Sequence, residues 1–248
     1  MKILVAISSV PDTTSKINFT SDLKKFDKNG VQFVINPYDE FCLTRAIWFQ
    51  EKQGAKITIV TVGDASVEAV MRKALAIGAD DAVRINIDPT DSFSVANEIA
   101  AVAKEGNYDV LFFGKESIDY NGGIVPSLVA GMLNLPIING CIGLEIEGAK
   151  VTAIREIDGG KETDTCVTPV IIAGQKGLVN EADLKIPNMR GIMQARTKNI
   201  LVKEPTFTSN SVDAETFENP VPRSSVHLID KDNVEELVRL LHEEAKVI

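Results

Sequence analysis

Histidine is nearly absent from this 248-residue chain: only His227 and His242 occur, both in its last stretch. A Ser-His-Asp or Cys-His catalytic site, or a zinc site built on imidazole, has little to draw on. Cysteine is scarce as well. Cys42, Cys141 and Cys166 are odd in number, widely spaced and form no Cys-x-x-Cys. That is the pattern of small buried apolar residues in a reducing compartment, not of a disulfide framework. No apolar run reaches the roughly 18 residues of a membrane span, and the opening Met1-Lys2-Ile3-Leu4-Val5-Ala6 turns polar at Ser8, too early for a secretory leader. Positive charge is outweighed, with 26 Lys and Arg against 35 Asp and Glu and a formal net charge of −9. This argues against nucleic acid, which is gripped by clustered cations. The expectation is a soluble, cytoplasmic protein with no membrane insertion.

What is present is an ordinary globular composition, 44% apolar, enough for a sizeable core. The length suits one domain of about 200 residues plus an appendage. Over the first 140 residues strand and helix alternate. Lys2–Ser8, Lys56–Val62, Ala82–Ile87 and Val110–Phe113 read as short buried strands. Tyr38–Gln53, a segment with Val67, Val70, Met71, Ala74 and Leu75 on one face, Asp91–Lys104 and Ile124–Leu133 read as helices. Phe26–Val34 carries Asn29-Gly30, a hairpin signal. Four successive β-α units predict a doubly wound α/β fold with a mainly parallel sheet, right-handed crossovers, and ligands beyond the carboxyl ends of the strands. The loops after Ser8, Val62 and Phe113 would line one crevice.

After Pro136 the pattern changes. Ile142–Ile146, Lys150–Ile157, Thr163–Thr168 and Val170–Ala173 predict an antiparallel addition at the sheet edge, with Glu147-Gly148 and Asp158-Gly159-Gly160 as turns. Residues 175–197 show no clear period, and a loop of that length is usually functional or flexible. Residues 200–228 read as extended. Asp230–Ala245 reads as a helix capped near Asp230 or Asp232, with Val234, Leu237, Val238 and Leu241 on a face that has to bury against something, which we expect to be another chain.

The usual dinucleotide fingerprint Gly-x-Gly-x-x-Gly is missing, and so is a P-loop. The loop Gly114-Lys115-Glu116-Ser117-Ile118-Asp119-Tyr120-Asn121-Gly122-Gly123 leads from a strand into a helix with Pro126 in its first turn. Adjacent glycines let backbone N–H groups approach an anion, and the helix N-terminus adds partial positive charge. The same residues also serve as a plain turn. Asn36-Pro37-Tyr38-Asp39 opens a helix, where Asn36 could offer its amide to a base or ribose, or serve only the turn.

Four segments, in order, resemble the β (small) subunit of electron transfer flavoproteins over essentially the whole chain. They are Asn36-Pro37-Tyr38-Asp39-Glu40; Arg72-Lys73-Ala74-Leu75-Ala76-Ile77-Gly78-Ala79-Asp80; Gly114-Lys115-Glu116-Ser117-Ile118-Asp119; and Arg155-Glu156-Ile157-Asp158-Gly159-Gly160-Lys161-Glu162 running to Pro169-Val170-Ile171. The last is the most specific, with Asp164 at a position that is hydrophobic in the family signature. The resemblance implies an adenine nucleotide α-hydrolase-like fold over residues 1–199, with a recognition loop at 178–199 and an arm at 200–248 that packs on an α subunit. It implies a heterodimer in the bacterial cytoplasm in which FAD, held mainly by the α subunit, carries the electrons, while the β subunit buries a structural AMP and has no catalytic residue.

Carried over residue by residue, the AMP site is Ala6, Asn36, Pro37, Tyr38, Asp39, Val62, Gly114, Asp119, Asn121, Gly122, Gly123, Ile124 and Val125. Gly123, Ile124 and Val125 depart from the Asn, Gln and Thr frequent in the family, leaving only backbone amides for the phosphate. Relatives with a second FAD here keep that alternative open. Tyr38 and the Val10–Thr13 loop would lie nearest the flavin. The recognition loop implies docking of flavoprotein dehydrogenases of the acyl-CoA type or others at Met189, Arg190, Ile192, Met193, Arg196 and Lys198. Electrons would pass on to an electron transfer flavoprotein–quinone oxidoreductase. An ATP-using adenylating enzyme would need a Gly-rich first loop, and Ser8-Ser9-Val10-Pro11-Asp12-Thr13-Thr14 has no glycine. A nucleotide module of the universal-stress type would need neither arm nor recognition loop.

Overall fold

Alternation along the strands sorts their side chains onto two layers. In β1 (Lys2–Ala6), Ile3 and Val5 face one core cluster while Leu4 and Ala6 face the other, as a strand with both faces covered requires. The computed structural model describes residues 1–207, 209–222 and 226–248. The order continues as β2 (Ser9–Pro11), β3 (Phe33–Ile35), α1 (Pro37–Gln53), β4 (Lys56–Val62), α2 (Glu68–Ile77), β5 (Asp81–Ile85), α3 (Ser92–Gly106), β6 (Val110–Gly114), α4 (Val125–Leu133), β7 (Ile137–Glu147), β8 (Lys150–Ile157), β9 (Gly160–Val167), β10 (Val170–Gly174), α5 (Met189–Thr197), β11 (Ile200–Lys203) and α6 (Val234–Arg239).

Among the described residues the main sheet has nine strands, in the order β11-β5-β4-β1-β6-β10-β7-β8-β9. All pairings from β11 to β7 are parallel, and β7-β8-β9 is an antiparallel meander on the edge. Helices α1, α2 and α5 cover one face through residues such as Leu43, Ile47, Met71, Leu75 and Ala195. Helices α3 and α4 cover the other through Ile99, Val102, Val129 and Ala130. The expected doubly wound α/β fold is therefore present. Helix α1 stops where Gly54 turns left-handed, with φ 66°, and its N–H returns to the carbonyls of Gln50 and Phe49.

Four local expectations need correction. Val170–Ala173 is not part of an antiparallel edge: β10 lies in the middle of the sheet, parallel to both β6 and β7. Its apolar, fully buried residues fit that place better than an edge. Asn29-Gly30 makes a turn, with Gly30 at φ 73°, but no hairpin. β3 pairs instead with β2, and Phe26 bridges Phe19, so non-local partners outcompete the local one. Residues 175–197 are not without period, since α5 forms there against α2 and is capped by Asn188, whose Oδ1 accepts the Gly191 N–H at 2.8 Å. The last helix is capped by Asn233, not by Asp230 or Asp232. It gives way to a wider π-type turn at Leu240–Glu244.

The stretch expected to be extended begins as β11, a full member of the sheet. Residues 208 and 223–225 of that stretch lie outside the described residues. Among the described residues, no helix is long and apolar enough to cross a membrane.

Candidate functional site

The chain crosses the sheet in one direction from β1 through β4 to β5, then returns to place β6 on the other side of β1. Loops after β1 and β6 therefore diverge, and a crevice opens between them at the carboxyl ends of the strands. Its cavity, about 470 Å³, is walled by Ala6, Asp39, Val62, Gly114, Asp119, Gly122 and Val125 among others. Seven of the thirteen residues expected at the nucleotide site thus meet there. Asn36, Pro37, Tyr38, Asn121, Gly123 and Ile124 are not on the wall.

Two of the off-wall residues, Asn36 and Asn121, shape the loop that forms part of the wall. Asn36 Nδ2 donates to the Glu116 carbonyl at 2.9 Å and its Oδ1 accepts from Ile118 N at 3.4 Å, pinning the loop after β6. Tyr38 lies in the first turn of α1 with the Lys115 ammonium 5.9 Å from its ring centre. Burial raises its phenol pKa, and the neighbouring Glu116 carboxylate adds to the shift. Asn121 sits left-handed at φ 50°, which turns the chain so that Ser117 and Gly122 exchange backbone hydrogen bonds of 2.9 and 3.2 Å. A Cβ on Gly123 would meet the Lys115 carbonyl at 3.1 Å. Ile124 is 54% exposed. No acceptor among the described residues takes the N–H of Gly123 or Ile124, and these groups sit just ahead of the free amides of the first turn of α4.

Asp39 is the central polar residue. Its carboxyl is buried and accepts two backbone amides, Ser8 N at 2.7 Å and Gly114 N at 2.9 Å. Burial pushes its pKa up to about 7, against the pull of these amides and of Asn36. The side chain is consequently a brace. The approach is so close that a Cβ on Gly114 would stand 2.4 Å from Asp39 Oδ1 and 2.7 Å from Tyr38 Cβ.

Electrostatically the wall is one-sided. It includes Asp39, Asp91, Glu116, Asp119 and Asp213 and, among the described residues, has neither Lys nor Arg. Asp119 is engaged by the Ser117 hydroxyl at 2.6 Å and by Tyr120 N at 2.9 Å. The cysteines play no visible part in this site. Cys42 Sγ–H donates to the Phe113 carbonyl at 3.0 Å, and burial raises its pKa. Cys141 is pushed up to about 11 by burial. Thiols held protonated in this way are inert. Among the described residues, no group of His, Cys, Asp and Glu is arranged to hold a metal.

Sequence reasoning expected the loop after Ser8 to line the crevice, and Ser8 and Ser9 do, but it did not assign Ser92, nor Val212, Asp213, Ala214 and Phe217, which also contribute to the wall. Ser8 follows β1, Ser9 opens β2 and Ser92 opens α3, junction positions that were readable. The C-terminal segment carries no such mark.

A second feature stands on the α5 side. Met189 and Met193 are 75% and 66% exposed, Ile192 is more than one-third exposed, and Ile186, 80% exposed, joins them, although nothing in its sequence context marked it. Arg190 and Arg196 are exposed beside them. Lys198 is not presented in this way, because its ammonium donates to the Ala79 carbonyl at 2.5 Å. Helix α5 is seated on α2 by Arg72, whose guanidinium reaches the carbonyls of Ala195 and Lys198, and by Gly191, where a Cβ would meet the Ala76 carbonyl at 2.2 Å.

A doubly wound α/β sheet, parallel from β11 to β7, with a crevice at its reversal point defines the fold class. The family model for the Electron transfer flavoprotein domain matches residues 24–207. The Electron transfer flavoprotein subunit beta of Bacillus subtilis is 34% identical over 262 aligned residues, covering all of both chains. That of Syntrophomonas wolfei is 32% identical, covering 91% of this chain and 88% of its own. The human one is 28% identical, covering 100% and 99%. The chain belongs to the electron transfer flavoprotein family, among its β subunits.

Proposed function

We propose that this chain is the β half of a heterodimeric electron carrier, that it holds AMP in the crevice between β1 and β6, and that it contributes no catalytic residue. The observation that carries the reading is the unpartnered N–H pair of Gly123 and Ile124 at the start of α4, beside a cavity large enough for a small ligand. Backbone amides and a helix N-terminus are sufficient to hold a monophosphate.

The FAD, held mainly by the α subunit, supplies the redox chemistry. This chain's residues act around it. Tyr38 and the Val10–Thr13 loop form part of the flavin wall. The exposed Met189, Ile192 and Met193, with Arg190 and Arg196, dock flavoprotein dehydrogenases, methionine being well suited to a surface that meets several partners. Lys198 contributes by fixing the end of α5. Electrons leave to an electron transfer flavoprotein–quinone oxidoreductase. Beyond β11 the chain serves as an arm on the α subunit, with the apolar face of α6 as its contact. The complex works in the cytoplasm, where thiols stay reduced.

The test is direct. The chain is co-expressed with its α subunit, purified and denatured, and the released nucleotides are separated by chromatography. One FAD and one AMP per heterodimer are expected. Two FAD, or no adenine nucleotide beyond one FAD, overturns the reading of the crevice.

A further inference from the structure

The crevice has a wall that comes from far along the chain. Val212, Asp213, Ala214 and Phe217 border the same cavity as Ala6 and Gly122. Four contacts hold this segment. Asp91 Oδ2 accepts Ser211 N at 2.6 Å and Val212 N at 3.2 Å. Phe217 N donates to the Leu23 carbonyl at 2.8 Å. The Phe217 ring stacks on Phe19 with centroids 5.1 Å apart and planes 17° apart. Just upstream, the buried Glu98 carboxylate accepts Thr206 N at 2.7 Å and Phe207 N at 2.5 Å. A segment with mostly exposed side chains would not be fixed by hydrophobic burial. Here it is fixed by amides on carboxylates, the stronger class of hydrogen bond.

Asp91 does two jobs with separate oxygens. Its Oδ1 accepts Ser94 N at 2.7 Å and caps α3, and its Oδ2 holds the segment. We infer that Ser211–Phe217 is the outer wall of the nucleotide site, that Asp91 is its positioning residue, and that this wall sets how fast a bound adenine mononucleotide escapes. The inference rests on the AMP reading given above. The wall borders the cavity that Gly122 and Val125 also line. An occupant then leaves only after the carboxylate contacts of Asp91 and the Phe19–Phe217 stack have parted.

Asp91→Asn separates the two jobs. Asn caps a helix about as well as Asp, so Oδ1 keeps Ser94, while the amide NH2 that replaces Oδ2 turns a donor toward the two donors of Ser211 and Val212. The experiment uses the heterodimer with its α subunit, loaded with radiolabelled AMP and chased with an excess of unlabelled AMP. Release should quicken about tenfold in Asp91→Asn, as expected for loss of one charge-assisted pair, and further in Asp91→Asn/Phe217→Ala. Hydrogen exchange across Ser211–Phe217 should rise in step, with flavin content held. Release unchanged in the double variant overturns the inference while leaving AMP binding intact. A wild-type heterodimer that carries no AMP and takes up none overturns the AMP reading and this inference with it.

Discussion

Asp39 Oδ1 accepts the Gly114 N–H at 2.9 Å, and through this bond the first turn of α1 is fastened to the end of β6. The other oxygen takes Ser8 N, so one side chain ties both lips of the crevice. Asp39→Asn keeps the shape but presents an NH2 to one of the two amides. One buried N–H is then left without an acceptor, a loss of about 1–3 kcal/mol. The pH dependence separates this brace from a simple packing role. Because the folded pKa is raised from 3.8 to about 7, the folded state binds more protons than the unfolded state between those values. Asp39 therefore makes stability fall as pH rises from about 4 to about 7, by at most about 1.4 kcal/mol per pH unit. Urea midpoints across that range should show a slope in the wild type that Asp39→Asn lacks. Parallel profiles would mean the carboxyl titrates at its ordinary value.

Gly114→Ala places a methyl where Asp39, Tyr38 and Asn36 already stand. Overpacking of this kind costs about 1–3 kcal/mol, and here it also spreads the lips of the crevice. Both the melting temperature and AMP content should fall. Unchanged AMP content in a destabilised protein would show that the brace supports the fold alone.

On the α5 side two substitutions should behave oppositely. Met189→Ala removes an exposed side chain and should leave stability within about 0.5 kcal/mol, yet slow the reduction of the carrier by a partner dehydrogenase. Gly191→Ala forces a methyl against the Ala76 carbonyl and should loosen α5 from α2, raising hydrogen exchange over 189–197 before it affects the rest of the chain. Equal loss of dehydrogenase coupling in both, without the exchange change, would argue against seating of the helix as the cause.

Leu237 is 43% exposed on α6, alongside Val234 and Val238. Leu237→Asp should not destabilise the isolated chain. In the heterodimer it should weaken association by about tenfold or more, since burying an unpaired carboxylate in an apolar contact is costly. Sedimentation of the two subunits over a dilution series reads this directly, and an unchanged dissociation constant would remove α6 from the interface.

The parallel half of the fold was legible because each strand and helix there carries its own period. Lys56–Val62 and the Gly54 helix stop could be read from local residues alone. β10 could not, because Val170–Gly174 looks like any short buried strand, and its partners are chosen by the space that β6 and β7 leave. Helix α5 was hidden by Gly191 and Asn188, which look like loop residues until α2 is set beside them. At the crevice, Asp39 and the Gly114–Gly122 loop stood out through their junction chemistry. Val212–Phe217 did not, since its position follows from carboxylates more than a hundred residues upstream and not from its own side chains.

The late insertion of β10 has a consequence for synthesis. As the chain leaves the ribosome, β6 and β7 are complete while the strand that joins them has not been made. Until residue 174 has emerged, each presents a bare row of backbone donors and acceptors, the condition that invites wrong partners. Chains truncated just before Val170 should therefore gather in inclusion bodies, and a nascent chain stalled there should hold a chaperone longer than one stalled after Gly174.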